Sequence, residues 1–307
     1  MSVLGFDTSN YTTSIAYYDG QNGINCSQLL PVKEGELGLR QSDAVFHHTK
    51  SLPELSGRLF SNVDIHCVTA IGVSTRPRAV EGSYMPCFMV GYSHAKMLAE
   101  ALHVPLIACS HQQGHIAASL WSANRMDLLQ QPHLAWHLSG GTTELLLVEP
   151  DNKNVTCKRI GGTTDISAGQ LIDRAGKLLG LPFPSGKHID ALSTESSLTE
   201  SFRVKCSDSD FSLSGVQNKI NTFYEKTLSP SDTAAYTLRS VCNAVFQATC
   251  NAQKVYPGLP VVFSGGVASN SMLRQTLEPL NPIFAQPQYS TDNALGVAVL
   301  AHCAQEE

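Results

Sequence analysis

One segment of the chain occurs twice. Asp7-Thr8-Ser9-Asn10-Tyr11-Thr12-Thr13-Ser14-Ile15-Ala16-Tyr17-Tyr18-Asp19 lies over His137-Leu138-Ser139-Gly140-Gly141-Thr142-Thr143-Glu144-Leu145-Leu146-Leu147-Val148-Glu149 at an offset of 130 residues. Each copy reads apolar strand, small polar turn, Thr-Thr, apolar strand, acid. A hairpin repeated at this spacing predicts two lobes that each open with the same unit. Turns rich in Ser, Thr and Gly present backbone N–H groups outward and make natural phosphate cradles. Two facing cradles would hold a nucleotide in a cleft between lobes. Hairpin turns favour these residues for their own sake, so either turn alone says little. The matched pair, each directly after an apolar strand, carries the argument.

The rest of the chain alternates strand and helix patterns. Apolar runs at Val3–Phe6, Cys67–Val73, Pro105–Cys109 and Pro260–Phe263 read as buried strands, and Thr13–Tyr18 and Thr143–Val148 as hairpin partners. Helical periodicity covers about Pro86–Leu102, Ser110–Trp121, Ser167–Leu179, Asn270–Leu280 and Ala294–Ala304. Ser231 or Asp232 is the expected cap of a long helix reaching Val255, and the polar stretch Glu195–Ser212 a loop or short hairpin. This order predicts an α/β fold with mostly parallel sheets. Its 307 residues suffice for two medium domains, and 42% apolar with 15% charged residues excludes a disordered chain. A net charge of −5 leaves no general excess of positive charge for nucleic acid. Any such contact must be a local patch or come from a partner. The opening Met1–Asp7 resembles no signal peptide, and no apolar run reaches the ~20 residues of a membrane span. Nine scattered cysteines without a CxxC read as buried free thiols, so a cytoplasmic location and no membrane contact are expected.

The sharpest motif is His111-Gln112-Gln113-Gly114-His115, immediately after a predicted strand. Residues four apart share a helix face, so both imidazoles can reach one ion. Such pairs arise by chance in a chain with eleven histidines. The adjacent His47-His48 cannot share a face and reads as structural. Two His and a carboxylate with open positions suit iron(II) or zinc. Asp292, just before the last helix, is a candidate third ligand and equally a candidate helix cap. Ser264-Gly265-Gly266-Val267-Ala268-Ser269-Asn270 joins a buried strand to a helix. That turn serves either close ligand approach or tight packing. Asp173, alone in mid-helix, is expected to face solvent, and Pro182–Gly186 is a rigid loop.

Together these residues resemble one family, the universal tRNA threonylcarbamoyladenosine synthase subunit (TsaD or Gcp, once called an O-sialoglycoprotein endopeptidase). Its opening Glu-Thr-Ser reads here Asp7-Thr8-Ser9, its His-x-x-Gly-His reads His111–His115, and its Ser-Gly-Gly-His-Thr reads Ser139–Thr143. Its Ala-Gly-x-x-x-Asp helix matches Ala168–Asp173, and its Asp-Phe-Ser-Phe-Ser-Gly matches Asp210–Gly215. Gly265–Asn270 and Thr291-Asp292-Asn293 complete the set. The resemblance implies an actin-like ATPase (sugar kinase, heat-shock, actin) fold of two duplicated lobes. The first would span 1–110, rejoined by a terminal helix at 294–307, and the second 111–293, carrying most of the nucleotide and metal site. It implies one divalent metal, iron or zinc, on His111, His115 and Asp292, with magnesium as a further cation. It implies ATP or threonylcarbamoyl-adenylate on Ser139, Gly140, Gly141, Thr142, Asp173, Gly186, Gly265, Gly266 and Asn270. Thr8, Ser9, Tyr11, Thr12 and Arg76 fall where the transfer chemistry is expected. The metal would polarise the acyl carbonyl, backbone donors would hold the oxyanion, and a tRNA adenosine amine would attack with AMP leaving.

The departures from the family are local. Its Cys-Asp-Glu turn reads Asn10-Tyr11-Thr12, which removes two carboxylates, and its histidine after Ser-Gly-Gly reads Thr142. Its Gly-Pro-Gly segment aligns with Thr75–Ser83, where Arg76 and Arg78 stand either in a solvated loop or as contacts to an anionic substrate. The chain therefore reads as a divergent paralogue. It is expected to be a threonylcarbamoyl or carbamoyl transferase, with a scaffold partner of a true transferase, or a carbamoyl transferase with another acceptor, as alternatives. Expected partners are a nucleotide, tRNA through Arg76, Arg78, Lys158 and Arg159 or a partner protein, and a homodimer or heterodimer with a relative. A metallopeptidase is disfavoured, because Gln112 stands where His-Glu-x-x-His needs its Glu.

Overall fold

The computed structural model describes residues 1–31 and 39–305. In chain order, β1 (Ser2–Thr8), β2 (Thr12–Tyr18) and β3 (Gly23–Leu29) form a meander. There follow α1 (Gln41–Phe60), β4 (Val68–Ser74), α2 (Phe88–Leu102), β5 (Leu106–Cys109) and α3 (His111–Ser122). Then come β6 (His133–Leu138), β7 (Thr143–Asp151), β8 (Asn154–Thr163), α4 (Ala168–Leu178) and α5 (Gly186–Ser193). The short pair β9 (Cys206–Ser207) and β10 (Asp210–Phe211) precedes α6 (Ser214–Thr227) and α7 (Pro230–Val255). The chain ends with β11 (Val261–Ser264), α8 (Ser271–Leu277), β12 (Ile283–Phe284) and α9 (Leu295–Cys303).

Two compact units result. The first comprises Met1–Gln131, Glu149–Cys157 and Asp292–Glu307, the second Pro132–Val148 and Lys158–Thr291. The sequence-based boundary at 110/111 therefore moves. Helix α3 and Asp292 belong to the first unit, because α3 packs directly on α9. Of the helix expected over 294–307, the α-helical part closes at Cys303, and 306–307 lie outside the described residues.

The first unit carries a sheet of order β3-β2-β1-β4-β5. β1 pairs antiparallel with β2, Phe6 opposite Ile15, and parallel with β4, which is parallel to β5. Strand β1 is buried on both faces, which explains its unbroken apolar run. Leu4, Phe6, Ile15, Ile71 and Val73 pack with Leu52, Leu55 and Leu59 of α1 and Ala95 of α2. Between α3 and α9 the approach is close enough to require a glycine: a Cβ on Gly296 would lie 1.8 Å from Gly114 O.

The second unit carries a sheet of order β12-β11-β6-β7-β8-β10-β9. β6 is parallel to β11 and antiparallel to β7, so both sheets are mixed rather than mostly parallel. The repeated hairpins supply antiparallel pairs that a pure βαβ alternation lacks. The core joins Trp136, Leu145, Leu171, Phe211, Leu238, Val245 and Phe263. The Trp136 indole donates to Thr249 Oγ1 at 2.9 Å. Helix α7 is capped by Ser229, not by Ser231 or Asp232, since Pro230 at the first helical position starts the helix earlier. All nine cysteines are free, but only Cys87, Cys109 and Cys242 are buried, and Cys67 is exposed. Among the described residues no helix is long and apolar enough to cross a membrane.

Candidate functional site

Helix α3 starts at once after β5, and its start is fully engaged. Ser110 and Gln113 form a reciprocal capping box, with Gln113 N donating to Ser110 Oγ at 3.2 Å and Ser110 N to Gln113 Oε1 at 2.8 Å. The N–H groups of His111 and Gln112 donate to the carbonyls of Arg76 and Pro77 at 2.9 and 3.0 Å. This helix end is therefore closed by protein oxygens rather than left open to an anion. One turn apart, the His111 and His115 Nε2 atoms lie 2.9 Å from each other.

Asp292 completes the cluster. Its Oδ1 is 3.2 Å from His115 Nε2 and 3.5 Å from His111 Nε2, and its Oδ2 accepts from Ser9 Oγ at 3.1 Å. It does not cap α9. The N-cap position is Ala294, and Leu295 N donates to Asn293 Oδ1. Behind His111 stands Asp7, fully buried, whose Oδ1 accepts from Ser74 Oγ and lies 2.9 Å from His111 Nδ1. Burial pushes the Asp292 carboxyl up, but hydrogen bonds and charge from His111 and His115 outweigh it and hold the group well below the usual carboxylate range. Burial pushes His111 down, but the Asp7 charge and the Asp292 contacts dominate and raise it to about 10.

The donor set fits a small divalent ion. Ligands at about 2.0–2.1 Å from one tetrahedral or octahedral centre stand roughly 2.8 to 3.4 Å apart. The three donor atoms here are 2.9, 3.2 and 3.5 Å apart, and two imidazoles with one carboxylate suit iron(II) or zinc.

The other candidates of the first unit have varied surroundings. Thr8 is buried, and its hydroxyl donates to Cys87 O at 3.0 Å and accepts from Gly91 N at 3.1 Å, which ties β1 to α2. Thr12 is buried and pairs with Leu29 in the ladder, while Tyr11 is exposed. Asn10 accepts from Gln41 of α1. The Arg76 side chain is exposed, and its main chain holds α3. His48 is buried, with Nδ1 2.8 Å from Thr13 Oγ1. Sequence reasoning missed Asp7 and Ser74. The available signal was an acid closing a buried apolar strand, since a buried carboxylate needs a partner.

In the second unit the glycine turns meet. Ser139 N donates to Thr142 O at 2.8 Å, closing the turn that holds Gly140 and Gly141, and Ser167 Oγ donates to Gly140 O at 2.6 Å. The start of α4 thus lies on the turn; a Cβ on Gly169 would come 2.5 Å from Gly140 Cα. Gly265 has φ +91°, a left-handed value that favours glycine, and abuts Leu138 at the end of β6, beside Gly266. Asn270 caps α8 through Leu273 N at 2.9 Å. Asp173 does not simply face solvent. Its carboxylate accepts from Ser185 N at 2.8 Å, fixing the loop before Gly186, the first residue of α5, and burial pushes its pKa up against that hydrogen bond.

A family model described as TsaD, tRNA N6-adenosine threonylcarbamoyltransferase, matches residues 35–299. A curated relative of that name from Enterococcus faecalis is 37% identical over 198 residues, 62% of this chain and 55% of the relative. Another from Thermosipho africanus is 30% identical over 98% of this chain and 94% of its own. Among solved structures, full-length HypF in its phosphate- and nucleotide-bound form has a TM-score of 0.62 at 17% identity. The match covers all of this chain and 47% of HypF. A ROK family glucokinase from Streptomyces griseus, in complex with glucose and AMPPNP, has a TM-score of 0.55 at 11% identity, covering 98% and 99% of the two chains. These structural likenesses bear on the fold alone, an actin-like α/β fold.

Proposed function

The chain belongs to the family of tRNA N6-adenosine threonylcarbamoyltransferases, and from this we propose that it is a metal-dependent threonylcarbamoyl or carbamoyl transferase that binds ATP or an acyl-adenylate. The observation that carries the reading is the convergence of His111, His115 and Asp292, whose donor atoms lie within 4.8 Å of one another. These three side chains would hold one iron or zinc ion. When bound, the ion would act as a Lewis acid toward the acyl or phosphate oxygen. Ser9 orients Asp292 through its Oδ2, so the carboxylate turns Oδ1 toward both imidazoles. The Ser139–Thr142 turn and Gly265-Gly266 are the proposed backbone contacts to a nucleotide phosphate. Asp173, Gly186 and Asn270, the cap of α8, are the remaining proposed nucleotide contacts. A tRNA adenosine is the proposed acceptor. With a net charge of −5, the chain would contact it through local cations such as Arg76, Arg78 and Lys158, or through a partner protein.

One observation favours a second reading, a nucleotide-binding relative that supports a separate transferase. Asn10-Tyr11-Thr12 carries no carboxylate where the family turn carries two. The two readings separate in one experiment. Elemental analysis and mass spectrometry of the purified protein are expected to find one metal per chain and a retained adenylate. Incubation with threonylcarbamoyl-adenylate, tRNA and family partners should give the modified nucleoside, and His115→Ala should lose both metal and product. Bound metal and nucleotide with no modified nucleoside would select the supporting role. No metal at all would overturn the proposal.

A further inference from the structure

Asp7 is unusual among the acids of this chain. It is wholly buried at the end of β1. One oxygen, Oδ1, accepts the Ser74 hydroxyl and faces His111 Nδ1 at 2.9 Å. The other, Oδ2, has no hydrogen-bond partner among the described residues. A buried carboxylate so incompletely satisfied is unfavourable unless a cation lies close by. Its neighbour two residues on, Ser9, holds Asp292 in the same way. The end of β1 thus grips two of the three donor side chains from behind.

We propose that Asp7 is the positioning residue of the metal centre, a proposal that rests on the metal reading above. Its contact with Nδ1 places the imidazole N–H there and leaves Nε2 as the lone-pair donor facing Asp292 and His115. It also completes the charge balance. A divalent ion with Asp292 alone leaves one uncompensated positive charge in a part-buried site, whereas the Asp7 carboxylate brings the sum to zero.

The test uses zinc(II) and cobalt(II) on the full chain, with affinity read by chelator competition and geometry by the cobalt d–d absorption. Asp7→Asn keeps the side-chain size and should weaken zinc affinity about ten- to a hundredfold and shift the cobalt spectrum, with the secondary structure of the metal-free protein retained by circular dichroism. Asp7→Glu, the residue of the family motif, should recover most of the affinity. Wild-type affinity and spectrum in Asp7→Asn would overturn the proposal. Should that variant not fold, Ser74→Ala is read instead. Loss of the hydroxyl that anchors the carboxylate should lower zinc affinity several-fold, and an unchanged value overturns the assignment. A wild-type chain that binds neither ion is a different failure, that of the metal reading itself.

Discussion

The contact between α3 and α9 allows a site to be broken without touching it. In Gly296→Ala the new Cβ would fall 1.8 Å from Gly114 O and 2.7 Å from Ala118 N. Both are main-chain atoms, so no rotamer change relieves the clash. A non-bonded carbon and oxygen need about 3.3 Å, so α3 must retreat by roughly 1.5 Å. His111 and His115 ride on α3, and Asp292 lies three residues before α9. A retreat of that size opens their 3.2 and 3.5 Å separations from Asp292 toward about 5 Å, wider than one ion with ligands at about 2.1 Å can span. Overpacking of this kind costs about 1–3 kcal/mol or more. The assay is zinc per chain after loading and dialysis, with a thermal melt of the metal-free protein alongside. The variant should bind well under the wild-type amount of zinc and melt several degrees lower. Wild-type zinc content together with a wild-type melt would refute the claim that α3–α9 packing sets the donor geometry.

Gly57→Ala is the matching control. A Cβ there meets nothing within 4 Å in α1, so the helix should gain up to about 1 kcal/mol by urea denaturation, with zinc content unchanged. Thr249→Val leaves the buried Trp136 indole N–H without its acceptor. The urea midpoint followed by tryptophan fluorescence should fall by an amount equal to about 1–3 kcal/mol. Asp165 opposes burial with hydrogen bonds from Ser212, Ser214 and the Leu213 and Ser214 backbone, which hold its carboxyl well below the usual range. Its folded-state pKa is depressed, so its contribution is present above the unfolded value of about 3.9 and fades as pH falls below it. Asp165→Asn should therefore lose stability at pH 7, by about 1 kcal/mol or less for so exposed a group. The gap to wild type should close progressively below about pH 4, and a gap that stays constant down to pH 2 would contradict this account.

The legible parts of the fold were those with local physics. The two hairpins announce themselves by apolar strands around a small polar turn. Helices α3 and α4 begin at Ser110 and Ser167, each with a Gln three residues on that closes a capping box. By contrast, α1 carries Pro53 inside it, which in a sequence reads as a break. Strand β8 buries only Val155, Gly161 and Gly162, too few to show a period. At the site, the one-turn spacing of His111 and His115 was visible, but Asp292 was indistinguishable from a helix cap. It lies 177 residues from His115, and only tertiary packing brings it near. Asp7 was missed for the same reason: its partner stands 104 residues on.

The carbonyl oxygens of Arg76 and Pro77 that receive the first amides of α3 come from the segment where this chain departs from the glycine-rich pattern of its family. Oxygens of that kind belong to every amino acid, so it is the main chain of Arg76 and Pro77, not their side chains, that seats the helix. A change in the segment's length acts on that main chain directly. One residue added or lost before Arg76 would slide both acceptors out of register, leaving the helix unseated however conservative the insertion.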